Sequence, residues 1–163
     1  MKKHRTHRGF TLMELLLSLG ILAMLAALAA PMFGNNEALQ LDVTRRLLIS
    51  DLEYSQILAI TNPNDAVALV IDESGEGWHI ATVSNPEVPL LDSNSGEPLV
   101  TILGEGPATS ASILTIKSNT VDNMIAFDQN GGLVDFAQVA EITLQIEDIT
   151  SIIQISPMTG SIQ

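Results

Sequence analysis

"HRGFTLMELLLSLG" (residues 7–20) sets a single carboxylate, Glu14, at the mouth of a run that is otherwise almost wholly apolar. From Leu15 to Phe33 nothing more polar than Ser18 and Gly20 interrupts it. As an α-helix rising ~1.5 Å per residue, the run would span roughly 28 Å, the depth of a bilayer's hydrocarbon core. Four of the seven basic residues, Lys2, Lys3, Arg5 and Arg8, precede the run, and none follows it for a dozen residues. The positive-inside rule then puts the N-terminus in the cytoplasm and the rest of the chain across the membrane.

That remainder is acidic. After Phe33 the sequence holds only Arg45, Arg46 and Lys117 against 18 Asp and Glu residues, a net charge near -15. Such a surface repels phosphate backbones, so no nucleic-acid partner is expected. With 163 residues, 46% of them apolar, the chain is long enough for one globular domain plus one appended element. It has no cysteine, which removes disulfides and thiolate metal sites.

Three readings compete for the apolar run. An ordinary secretory signal peptide would use "ALAAP" (residues 27–31) as a small-residue cleavage site. A plain signal-anchor helix explains length and charge equally well. Neither explains Glu14, because a carboxylate costs about 2.5–3.5 kcal/mol at mid-bilayer and less near the edge. The helix dipole returns only ~0.3–1 kcal/mol of that. A cut after Gly9 would give Phe10 a free, positively charged amine four residues before Glu14, and that amine or a neighbour's could neutralise the carboxylate.

The stretch "GFTLMELLLSLGILAMLAALAAPMF" resembles the class III signal of type IV pilins and type II secretion pseudopilins through Gly9, Phe10, Thr11, Leu12, Glu14 and Pro31. The resemblance implies cleavage between Gly9 and Phe10 by prepilin peptidase, N-methylation of Phe10, and a role for Glu14 in assembly. It also implies a filament whose core is a bundle of such helices. Small residues such as Gly20, Ala23 and Ala26 suit that bundle by letting helices approach closely.

Beyond the run, "PMFGNN" (residues 31–36) offers a kink, and a helical pattern resumes over residues 37–61. Asp42 and Arg46 stand at the favoured i, i+4 spacing. Leu41, Val43, Leu47, Leu48, Leu52, Tyr54, Ile57 and Leu58 spread over a wide arc, which predicts cover from two directions, by the chain's own sheet and by neighbouring subunits. From Ala66 the pattern changes to short β-rich runs, "AVALVI", "WHIATV", "LVTIL", "SILTIK", "MIAFD", "LVDF", "EITLQIE" and "SIIQIS", giving six to eight mostly antiparallel strands. "QNGG" before Leu133 predicts a hairpin turn, and residues 85–97, with prolines around them, a variable surface loop.

The expected fold class is α+β: a long N-terminal helix, membrane-spanning and then amphipathic, packed on a C-terminal antiparallel β-rich head, the type IV pilin-like fold. The segments expected are a leader (1–9), a transmembrane or filament-core helix (10–33), a head helix (34–61) and a β-rich periplasmic head (62–163). The order of "RRLLISDLEYSQILAI", the Trp78 strand, "IAFDQNGG" and "ISPMTGSI" is similar to the GspH/FimT-type head of minor pseudopilins.

Chemistry-bearing constellations are scarce. His79, the one histidine left once the leader is gone, reads as a surface or packing residue of a strand. No nucleophile elbow, phosphate loop or zinc-protease motif occurs, so neither catalytic residues nor cofactors are expected. Asp72, Ser74 and Glu76 open like an EF-hand loop, but Val83 takes the place of the bidentate Glu; "DSNSGE" from Asp92 is looser still. The function expected is therefore that of a minor pseudopilin of type II secretion in the bacterial inner membrane. Its partners would be prepilin peptidase, other pseudopilins and the inner-membrane assembly platform. The alternatives are a minor type IV pilin for adhesion, motility or DNA uptake, and an exported ligand-binding domain with an ordinary signal peptide.

Overall fold

The computed structural model describes residues 11–29, 36–62, 64–111, 114–134 and 137–163. The chain divides into two compact units, residues 1–36 and 37–163. In the first, α1 (Leu12–Ala29) follows from a run dominated by the strong helix formers Leu, Ala and Met, which outweighs Ser18 and Gly20.

The second unit holds α2 (Asn36–Thr61) from its second residue, Glu37, onward. Its buried residues are Leu41, Thr44, Leu48, Leu52, Ser55 and Ala59, one stripe at spacings of three and four. Of the wider apolar arc, the head's own sheet covers this stripe, while Ile57 is exposed and Leu47, Tyr54 and Leu58 are only partly covered. Two of its six positions are hydroxyl residues that satisfy themselves on their own helix. Thr44 Oγ1 donates to the Gln40 carbonyl at 2.9 Å and Ser55 Oγ to the Asp51 carbonyl at 2.6 Å. The i, i+4 pair forms as expected, Arg46 Nε to Asp42 Oδ2 at 2.9 Å on the exposed side.

Among the described residues eight strands follow: β1 (Val67–Ile71), β2 (Gly77–Thr82), β3 (Asn85–Pro89), β4 (Val100–Ile102), β5 (Thr115–Ser118), β6 (Met124–Phe127), β7 (Ala140–Ile146) and β8 (Ile149–Ile155). They form a five-stranded sheet in the order β3-β2-β1-β6, with β4 also on β2, and a three-stranded sheet in the order β5-β7-β8. Every strand pair is antiparallel. In β7 the alternation is clean, with Ala140, Ile142, Leu144 and Ile146 buried between half-buried or exposed polar residues. The core joins Leu48 and Leu52 of α2 to Leu69, Trp78, Ile125, Phe127, Leu144 and Ile153. Fully burying a side chain such as Leu52 stabilises by roughly 1.5–3 kcal/mol.

Two expectations need correction. Residues 85–97 are not a loop throughout, because β3 pairs with β2 through Ala81↔Pro89 and Thr82↔Asn85 across a register shift. Pro86 and Pro89 are tolerated because β3 is an edge strand, where a missing N–H faces no ladder partner. "LVDF" forms no strand among its described residues; Leu133 makes an isolated bridge to Phe127 and sends its N–H to the Pro157 carbonyl. The turn before it does form. Asp128 Oδ1 accepts the N–H groups of Asn130 and Gly132 at 2.8 and 3.0 Å, which closes the chain back on Phe127.

Three polar contacts hold the head's parts in register. Asp51 Oδ2 accepts both the indole N–H of Trp78 (2.7 Å) and the hydroxyl of Thr101 (3.1 Å), tying α2 to β2 and β4. Gln56 Nε2 donates to the Gly131 carbonyl at 2.6 Å, and the carbonyls of Thr159 and Gly160 lie at 3.4 Å. Gly160 sits at φ +61°, and a Cβ there would run into the Gly131 carbonyl, so only glycine fits without strain.

Candidate assembly site

Of the three residues the sequence singles out, Gly9 and Phe10 lie outside the described residues and Glu14 lies within them. Glu14 is the third residue of α1, and its N–H bonds to both the carbonyl (3.1 Å) and the side-chain oxygen (3.3 Å) of Thr11. Thr11 is therefore the N-cap of α1, and Thr-x-x-Glu is the spacing of a capping box. The spacing signals this role in the sequence itself, although the charge of Glu14 alone does not point to it. One turn on, Ser18 Oγ donates to the Glu14 carbonyl at 2.6 Å.

Among the described residues no hydrogen bond or ion pair reaches the Glu14 carboxylate. It is the sole charge in α1, placed in the first turn where the helix dipole favours an anion. Around it the large side chains from Leu12 to Leu25 are 52–78% exposed. The helix therefore carries leucines on every side and has no polar face. Its 18 residues rise ~27 Å, short of a ~30 Å hydrocarbon core. Among the described residues no helix is long and apolar enough to cross a membrane. Residues 30–33, the last four of the apolar run, lie outside the described residues.

The residues weighed for metal or catalytic work come together in other ways. Asp72, Ser74 and Glu76 form the β1–β2 turn, with Gly75 N–H on the Asp72 carbonyl at 2.8 Å and Glu76 N–H on Ser74 Oγ at 3.2 Å. This is the tight turn of the β1–β2 hairpin. His79 lies between Pro86, whose carbonyl is 2.8 Å from Nε2, and Asp72, whose Oδ1 is 3.6 Å from Nδ1. Asp92 Oδ1 accepts the N–H groups of Asn94 and Ser95 at 2.9 and 2.8 Å. The backbone bonds from Ser95 and Asn94 hold its carboxyl below the usual carboxylate range. Among the described residues no group of three or more His, Cys, Asp or Glu could hold a metal ion.

A capped apolar helix bearing one acid thus precedes an α+β head in the sequence. Residues 4–30, which include Gly9, Phe10 and Glu14, match the prokaryotic N-terminal methylation motif. The pilin-like protein PilA1 of Thermus thermophilus is 40% identical over 78 residues, 48% of this chain and 49% of that protein. The chain thus spans about half the length of that curated relative. The crystal structure of the type IV minor pilin FimU of Pseudomonas aeruginosa superposes with a TM-score of 0.54 at 21% identity, covering 78% of this chain and 89% of that one. That likeness establishes the type IV pilin fold.

Proposed function

We propose that the protein is a non-enzymatic, minor subunit of a type IV pilin-like filament. Prepilin peptidase cuts it between Gly9 and Phe10, and the new amine of Phe10 is methylated. Residues 10–33 then hold it in the bacterial inner membrane, with the N-terminus cytoplasmic and the head, residues 34–163, periplasmic. On assembly Glu14 meets an ammonium, its own or a neighbour's, and α1 enters the helical core of the filament. One observation carries this reading: a single acid, three residues into a capped helix that exposes leucine on every side.

The finer reading is a minor pseudopilin of type II secretion, working with other pseudopilins and the inner-membrane platform. It rests on the order of elements in the head. A second reading, a minor type IV pilin, is favoured by the likeness to PilA1 and to FimU. Deleting the gene and comparing exported proteins with surface pili separates the two.

The shared reading is tested on the mature N-terminus and on Glu14→Gln. Mass spectrometry should find a methylated Phe10, and the variant should insert normally yet fail to crosslink into filaments. A mature chain beginning at Ala30, or a Glu14→Gln variant that polymerises like the parent, would overturn it.

A further inference from the structure

A cavity of about 220 Å³ opens in the head beside β6. Ile125 and Leu133, both buried, form its floor, and Ala126 lies in its wall. Val121, Asp122 and Val134 stand at its rim, where Val121 is 77% exposed and Val134 45%. The rim is fixed from behind. The Asn119 amide donates to the Val139 carbonyl at 3.1 Å and accepts the Glu141 N–H at 2.8 Å, so the segment leading into the rim is clamped to the start of β7. Asp122 and Asn123 are held at φ +55° and +51°, a left-handed pair in non-glycine residues of the kind that gathers at binding sites.

The size of the cavity limits its occupant. Ligand and cofactor pockets run about 300–1,000 Å³, so this one suits a single large side chain rather than a cofactor. Strand addition is disfavoured, because the edge of β6 is already blunted: Val134 N–H bonds to the Ala126 carbonyl at 2.9 Å, and Met124 N–H bonds to the Val121 carbonyl. Charge selects the partner. The rim carries the Asp122 carboxylate, and the sequence after Phe33 has 18 acidic residues against three basic ones. A second copy of this head brings the same charge and is repelled.

We infer that this cavity is an anchor site for another polypeptide, one that inserts an aromatic or large aliphatic side chain and sets a Lys or Arg beside it against Asp122. The inference stands on the head alone, whichever filament the subunit enters.

Full-length protein in detergent micelles is titrated with acetyl-Lys-Phe-Lys-amide while backbone amides are followed by NMR, with acetyl-Lys-Gly-Lys-amide and acetyl-Glu-Phe-Glu-amide as controls. Saturable shifts at Ile125, Leu133 and Val134 are expected for the Lys-Phe-Lys probe, and no saturation for the glycine probe. Asp122→Asn, which keeps a residue tolerant of the left-handed region, should weaken the probe about two- to fivefold and reduce its salt dependence. Ala126→Leu fills the wall and should abolish saturation while Trp78 emission stays native. Equal binding of the acidic or the glycine probe refutes the inference. So do shifts running along Met124–Phe127 whatever the central side chain, or an absence of binding at the cavity.

Discussion

Asp51→Ala tests what fixes α2 over the five-stranded sheet. In the parent one carboxylate oxygen accepts the Trp78 indole N–H at 2.7 Å and the Thr101 hydroxyl at 3.1 Å. Trp78 is 1% exposed, so once the carboxylate is gone its N–H has neither the acid nor bulk water. A hydrogen bond to a charged acceptor contributes about 1.5–3 kcal/mol, and stranding a buried donor costs about 1–3 kcal/mol. Thr101 is only half-buried and can turn to solvent, so it adds little. The expected loss is about 2–3 kcal/mol for Asp51→Ala and about 1 kcal/mol for Asp51→Asn, which keeps an oxygen acceptor but not its charge. With a urea slope of about 1–3 kcal/mol per molar, the alanine variant's midpoint should fall by roughly 1 M.

Trp78 is the chain's single tryptophan, so its emission during urea unfolding of full-length protein in micelles reports the site directly. A companion cycle in a Trp78→Phe background, followed by circular dichroism, removes the donor first. There Asp51→Ala should cost less than half as much, since the partner it stranded no longer exists. If Asp51→Ala shifts stability by under about 0.5 kcal/mol, or costs the same in both backgrounds, the account of this contact is wrong.

Gly160→Ala should lower the thermal midpoint by several degrees, because the added methyl meets the Gly131 carbonyl and disturbs the Gln56 contact; serine there should do no better. Thr11→Ala removes the N-cap of α1 and should cost about 1 kcal/mol locally, read as faster amide exchange at Glu14 and Leu15, with Thr11→Ser close to the parent. Asp92 has a folded-state pKa held below its unfolded value. The order it gives to residues 92–95 is therefore present above the ordinary carboxylate pKa and lost as pH falls through the lowered one. The Asn94 and Ser95 amide shifts should titrate below that ordinary range, and in Asp92→Asn they should not titrate.

How far the sequence foretells this fold depends on which force shaped each segment. "EITLQIE" became β7 because one buried face imposes a period of two on the residues themselves. The turn at Asp128–Gly132 was readable for a similar reason, since its chemistry is local. β3 was hidden because an edge strand buries little and tolerates proline, so its composition is that of a loop. On α2 the stripe runs through Thr44 and Ser55, which look polar in sequence, yet each hydroxyl closes on a carbonyl of its own helix and packs like a small apolar group. Thr101, Gln56 and Gly160 depend on partners far along the chain, which no local pattern encodes. At the candidate site the reverse holds: Thr11 and Glu14 are three residues apart, and the cap was written in full.

That cap sharpens the question of why an acid is kept at Glu14. Thr11 spends its hydroxyl on the Glu14 N–H, not on the carboxylate, so capping stabilises the helix and leaves the charge unmatched. The dipole returns ~0.3–1 kcal/mol against an insertion cost that reaches about 2.5–3.5 kcal/mol at mid-bilayer. At full depth the shortfall is about 2 kcal/mol, roughly a thirtyfold penalty on inserting the unpaired helix. Glutamine would satisfy the first turn almost as well and carry a smaller penalty, so helix formation and insertion both favour replacing the acid. What glutamine cannot do is attract an ammonium. Insertion and incorporation should therefore move in opposite directions in Glu14→Gln, insertion unchanged or better and incorporation lost. A role confined to the helix start would move both the same way.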